Sequence, residues 1–200
     1  ALPSPFRADL DGSGIPGKLK ERFQELVDAI LELETRCGVS KRASIPLYLP
    51  FPQTEEGVAG LAGRVRALME VGDGVIFDYV ELFESYGFRV AVLARLPREM
   101  ESASYYDPAN GNAFFFLNGA LNAERLLFRL AYELGHLYLV TADLLGWPAA
   151  KGEGVLDARH AAMKFAAFFL MPEAAVRALV AQVGVKPDEW TESMLFRLKH

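Results

Sequence analysis

Residues 122–140, Asn-Ala-Glu-Arg-Leu-Leu-Phe-Arg-Leu-Ala-Tyr-Glu-Leu-Gly-His-Leu-Tyr-Leu-Val, leave a folded chain little choice. At helical spacing Leu126, Leu127, Phe128, Leu130, Ala131, Leu134, Leu137, Tyr138 and Leu139 cover nearly every side. A helix apolar all round is a buried helix, so other elements must pack around it. Two ionisable residues, Glu133 and His136, sit in its middle. Burying a carboxylate without a partner is costly, so Glu133 must face a cleft, a cation or a neighbour that shares a proton. With 200 residues, 52% of them hydrophobic, the chain can build the core that such a helix needs.

Within this helix the run Tyr132-Glu133-Leu134-Gly135-His136 is one residue away from H-E-x-x-H. That pattern sets two histidines on one helix face to hold zinc, and the adjacent glutamate acts as base on metal-bound water. Here a tyrosine stands in the first position. A phenol ligates only as phenolate, and its ordinary pKa near 10 makes it a poor ligand at neutral pH. Gly135 would let another chain approach the helix closely. A histidine hydrogen-bonded to Tyr132, Glu133 or a backbone carbonyl would account for the same residues without any ion.

Around this helix the patterning predicts an α+β chain. Residues 1–16 read as a loose lead-in, rich in Pro, Gly and Ser. A helix follows over 17–37, with Leu19, Leu26 and Leu33 in one heptad row and Phe23, Ile30 and Cys37 in another. This stripe packs on its own domain or, alternatively, forms a helix-pairing or dimer seam. Residues 43–54, with three prolines, read as an extended linker. The division drawn from these signals is a lead-in, amphipathic helix and linker over 1–54, and one domain over 55–200.

In that domain Thr54 caps a helix over 55–70, a second helix covers 75–86, and Gly87 stops it. Strands are predicted at 88–95, 103–107 and 113–118, the last two joined as a hairpin by Pro108-Ala109-Asn110-Gly111-Asn112. The expected sheet is small, three-stranded and antiparallel. Helices then follow over 122–140, 155–171, 173–183 and 187–198.

Bulk properties exclude several classes. A net charge of −5 argues against a general nucleic-acid surface. No apolar run spans a bilayer and no signal peptide is recognisable, so no membrane partner is expected. The single cysteine, Cys37, rules out an internal disulfide and suits a reducing cytoplasm. Only three histidines exist, His136, His160 and His200, so nitrogen ligands are scarce.

Two stretches now carry a resemblance. Arg125-Leu126-Leu127-Phe128-Arg129-Leu130-Ala131-Tyr132-Glu133-Leu134-Gly135-His136-Leu137 and Ala161-Ala162-Met163-Lys164-Phe165-Ala166-Ala167-Phe168-Phe169-Leu170-Met171-Pro172 resemble the two motifs of the ImmA/IrrE family of zinc-peptidase-like proteins. The first family motif centres on L-A-H-E-L-G-H, the second on E-A-N-x-F-A-A followed by L-M-P. The likeness runs over nearly all of residues 17–182. It implies a mostly helical, zincin-like metallopeptidase fold. It also implies that Tyr132 stands at the first His ligand, Ala161 at the Glu ligand and Met163 at the motif's Asn. Of the family's metal shell only His136 and the general base Glu133 remain.

The reading that follows is a fold kept and a peptidase chemistry lost. The chain is expected to be the sensor or partner-binding domain of a bacterial or prophage XRE-type transcriptional regulator. DNA would be read only by a separate helix-turn-helix domain outside this chain. No cofactor is expected. The alternative is an active metallopeptidase cleaving a repressor or other protein at a rebuilt zinc site, with His136 joined by His160, Asp157 and Tyr132 and with Glu133 catalytic. The partner is a protein or peptide, or a small ligand in a cleft lined by Phe114, Phe116, Asn118, Tyr132, Phe168 and Phe169; a homodimer is a further expectation. Strand 113–118 is the expected peptide acceptor, which requires it to have an open edge.

Overall fold

The computed structural model describes residues 6–8, 15–44, 54–94, 96–144, 154–184, 191 and 194, with only the backbone for 139–144. Its elements are β1 (Phe6–Ala8), α1 (Gly17–Arg36), α2 (Glu55–Leu68), α3 (Tyr79–Ser85), β2 (Phe88–Leu93), β3 (Ser102–Asp107), β4 (Asn112–Asn118), α4 (Ala123–Leu144), α5 (Ala158–Leu170) and α6 (Glu173–Val183). Most of the linker expected at 43–54 and of the helix expected at 187–198 lies outside the described residues.

The helix starts follow from capping chemistry. Thr54 Oγ1 accepts the Gly57 amide at 3.2 Å, as its position before two glutamates suggests. Asp78 accepts the Glu81 amide at 2.9 Å, which starts α3 at Tyr79 rather than at 75. Asp157 does the same for His160 and starts α5 at Ala158, three residues later than expected.

The sheet corrects the expectation of three antiparallel strands. It has four, in the order β1-β3-β4-β2, with β2 parallel to β4 and the other neighbours antiparallel. The extra strand comes from residues that read as lead-in. β4 is interior, because its side chains are apolar on both faces. Phe115 and Leu117 face one core while Phe114 and Phe116 face the other. A strand covered on both sides is a continuous apolar run, and such a run belongs in the middle of a sheet. β4 therefore lies between β3 and β2, paired on both edges. It has no open edge for a peptide, and the acceptor role expected for 113–118 is overturned.

The sheet is thus the middle of three layers. One face carries α2, α3, α4 and α5 around Val58, Leu61, Phe83, Phe115, Leu134 and Phe165. The other carries α1, whose Leu19, Phe23 and Val27 are buried at four-residue spacing. Phe23 stacks on Phe116 with ring centroids 4.4 Å apart. So α1 packs on the same sheet as the rest of the chain, although the division at 54 set it apart. Leu33 of the heptad row points outward at 62% exposure, and Cys37 is also exposed.

Two contacts fix the helical layer. A Cβ on Gly135 would stand 2.8 Å from Phe165 Cδ1, so glycine lets α4 and α5 meet closely. The segment that approaches at this point is α5. Arg66, buried in α2, donates to the carbonyls of Gly72, Gly74 and Phe169 at 2.5, 2.5 and 2.6 Å, tying the end of α2 to the end of α5.

Candidate functional site

α4 holds the candidate residues where its all-round apolar surface requires. Tyr132 and Glu133 are buried, and His136 is 17% exposed at its side chain. Glu133 finds the partner that its burial demands on β3. Ser102 Oγ donates to Glu133 Oε1 at 2.6 Å. Among the described residues the second carboxylate oxygen, Oε2, has no hydrogen-bond partner, and neither has His136 Nδ1. These two atoms face each other at 3.8 Å, too far for a hydrogen bond. The Tyr132 and His136 rings lie 5.8 Å apart, as their four-residue spacing places them.

Beside this group is a charged cluster. Arg129 lies over the Tyr132 ring at 5.0 Å and bonds Glu101, which Arg125 also pairs. Burial alone would raise the Glu101 pKa; hydrogen bonds from Arg125 and Arg129 outweigh it and hold the carboxyl below its ordinary range. Deeper along α4, burial pushes the Tyr138 phenol well above its ordinary value, and its hydroxyl has no hydrogen-bond partner among the described residues.

Of the three residues named as substitute ligands, Tyr132 lies beside His136 and the other two lie elsewhere. His160 and Asp157 lie at the exposed start of α5, with side chains 67% and 63% exposed. They pair with each other, Nδ1 to Oδ2, at 2.5 Å. Asp157 is held below its ordinary range by the His160 backbone amide and then by the His160 ring. Ala161, which the resemblance would place at a glutamate ligand, is a methyl group fully enclosed in the core. His200 lies outside the described residues.

Among the described residues no three His, Cys, Asp or Glu side chains converge as a metal set. Catalytic zinc takes three protein ligands and a water. Here α4 offers one imidazole and a carboxylate already engaged by Ser102. The described donors do not fit that ion.

The residues expected to line one cleft do not share one. Phe114 and Phe116 face α1, while Tyr132 and Phe169 lie in the core on the opposite side of the sheet, with Phe168 packed against that core. Asn118 closes a turn instead. Its Nδ2 donates to the Met100 carbonyl at 2.9 Å, and its Oδ1 accepts the Ala120 amide at 3.0 Å. Sequence reasoning passed over Ser102, Glu101 and Arg129. Ser102 had a signal: Ser102 and Ser104 alternate with Ala103 and Tyr105, which sets two hydroxyls on one face of a strand.

Fold and site together define a metallopeptidase-like α+β domain with Glu133 and His136 on its central helix. A peptidase family model described as the IrrE N-terminal-like domain matches residues 84–190, more than half of the chain. The chain belongs to this ImmA/IrrE family. A search of curated proteins finds no match. Among the described residues no single helix is long and apolar enough to cross a membrane.

Proposed function

We propose that this domain is the sensor or partner-binding part of a bacterial or prophage XRE-type transcriptional regulator, with its peptidase chemistry lost. One observation carries the reading. Two of the three family ligand positions hold the buried side chains of Tyr132 and Ala161, and the remaining base, Glu133, is tied to Ser102. A family domain that cannot assemble zinc keeps its packing, and its role is then binding. DNA recognition belongs to a helix-turn-helix domain outside this chain. The setting is the cytoplasm, in keeping with one exposed thiol and no disulfide.

A metallopeptidase with a rebuilt site is the second reading. It is favoured by Glu133 Oε2 and His136 Nδ1, two enclosed polar atoms 3.8 Å apart with no hydrogen-bond partner among the described residues. Elemental analysis of protein purified without added metal or chelator decides between the two, with His136→Ala alongside. Metal far below stoichiometric in both proteins is the expected result. Near-stoichiometric metal that disappears in His136→Ala overturns the regulatory reading in favour of the peptidase.

A further inference from the structure

A pocket of about 310 Å³ lies between the end of α1, the segment that follows it and the start of β2. Glu34, Ser40, Lys41, Arg42, Arg89 and Asn112 supply its polar walls. Arg89 pairs in register with Phe114 and lies over that ring at 4.8 Å, which puts it on the α1 side of the sheet. The Ser102–Glu133 bond is on the other side, under α4. The pocket is therefore separate from the site on the motif helix.

Arg89 is the fixed part of this pocket, only 5% exposed. Its Nε and Nη2 donate to Glu34 Oε1 and Oε2 at 2.8 and 2.6 Å, and Nη2 also reaches the Lys41 carbonyl at 3.0 Å. The third nitrogen, Nη1, is enclosed and has no hydrogen-bond partner among the described residues. The Glu34 carboxylate answers the charge of Arg89. It leaves Lys41 and Arg42, and neither has an ion-pair partner among the described residues. The side chains of Ser40 and Asn112 likewise have no hydrogen-bond partner there.

The backbone that carries the two cations is pinned. The Ala43 amide donates to the Gly111 carbonyl and the Ser44 amide to the Tyr86 carbonyl, each at 2.9 Å. A Cβ on Gly87 would collide with the Arg42 carbonyl, and the Arg42 stem passes over Gly111. Nor are the cations needed to satisfy the end of α1. The carbonyls of Leu33, Glu34 and Thr35 already accept the amides of Val39, Cys37 and Gly38. Two unanswered positive charges are thus held at one concave place, on a chain whose net charge is −5.

We propose that this pocket binds the phosphoryl group of a small ligand, with Lys41 and Arg42 as charge partners, Ser40 and Asn112 as neutral donors, and the Glu34–Arg89 pair as a rigid floor. A phosphoryl group carries about −1.5 to −2 at neutral pH and three acceptor oxygens, which matches two cations and donors on several sides. A single carboxylate would leave one cation unanswered. Glu34 repels a second anionic group and can accept from a hydroxyl on the rest of the ligand. The site is independent of the reading of α4 given above and holds whether or not that helix carries a metal.

The test is isothermal titration of the full chain with inorganic phosphate and with ribose 5-phosphate, at an ionic strength fixed with sodium chloride, beside Lys41→Ala/Arg42→Ala. Saturable one-to-one binding of at least one probe, weakened about ten-fold or more in the double variant, is the expected result. An unchanged urea midpoint checks that the variant folds, and Lys41→Gln, which is expected to weaken binding in the same direction, is the milder second variant. Tighter binding of the ester than of phosphate identifies an organic ligand whose hydroxyls meet Glu34; equal binding identifies free phosphate. No saturable binding of either probe, or binding that the variants leave unchanged, overturns the proposal. Metal analysis judges the regulatory reading separately, so the two can fail independently.

Discussion

Ser102 and Glu133 meet across the β3–α4 interface through a 2.6 Å hydrogen bond between two buried side chains. It is the only hydrogen bond given to the Glu133 carboxylate among the described residues, and it joins the sheet to the helix that carries the family motif. Removing Ser102 should therefore cost more than an ordinary surface serine. Ser102→Ala leaves a buried carboxylate without its donor and is expected to lose about 1–3 kcal/mol in urea unfolding. Glu133→Gln keeps an acceptor for Ser102 and should cost less. Equal losses in the two variants would mean that the bond contributes little.

The proposed loss of metal ligands has its own test. If Tyr132 and Ala161 stand at the family's ligand positions, as the resemblance implies, Tyr132→His with Ala161→Glu is expected to bring in near-stoichiometric zinc, read by elemental analysis. Without metal the double variant should be less stable than the parent by at least about 1–3 kcal/mol, because Ala161 is fully buried and a glutamate there is both larger and charged. Adding zinc should then raise its midpoint temperature. A double variant that folds but binds no zinc would show that more than the ligands has changed.

Gly135 sets how closely α4 and α5 approach. Gly135→Ala places a methyl 2.8 Å from Phe165 Cδ1 and is expected to destabilise the fold by about 1–3 kcal/mol, despite alanine's better helix propensity. Phe165→Leu in the same chain should recover part of the loss, a coupling that a double-mutant cycle measures.

Arg66 serves three carbonyls with one guanidinium. Arg66→Met keeps the stem but strips the donors from Gly72, Gly74 and Phe169, with an expected loss on the order of 3 kcal/mol by chemical denaturation. Arg66→Lys should recover little, because an ammonium lacks the planar fork that reaches all three.

Acid should weaken the fold through Glu101. Its folded pKa is lowered by Arg125 and Arg129 against the opposing effect of burial, so it releases its proton more readily in the folded than in the unfolded chain. The stability that this gives is present above the unfolded value, near 4.3, and is lost as pH falls through the lower folded value. Glu101→Gln is expected to be less stable at neutral pH and to show a flatter decline in acid. Parallel curves for the two proteins would remove Glu101 as the cause.

Much of the fold was written in local patterns. The all-round apolar run through Leu130, Leu134 and Leu137 called for a buried helix, and Thr54 marked a helix start that the structure keeps. The family motifs around Glu133 and Phe165 also stood in the sequence. Less legible was the order of the strands. β3 and β4 read as a hairpin, and nothing local said that β4 would pair with β2 in parallel, or that three residues near the start would join β3. The clue was the unbroken run Ala113–Leu117, which suits a strand buried on both faces; this also ruled out the peptide-binding edge expected there.

What the sequence alone determined was most of the helical and extended segments after residue 16, which side chains must be buried, and a motif that reads Tyr132-Glu133-Leu134-Gly135-His136. These follow from periodicity, capping and residue identity, all of which act over a few neighbouring positions. Only the tertiary structure decided that Ser102 answers Glu133, that His160 turns to Asp157 rather than to His136, and that Phe114 and Tyr132 lie on opposite sides of a sheet. Those outcomes depend on which surfaces meet after the chain has closed. A buried carboxylate must have a partner, but the sequence leaves its identity open until a strand some thirty residues away is packed against it.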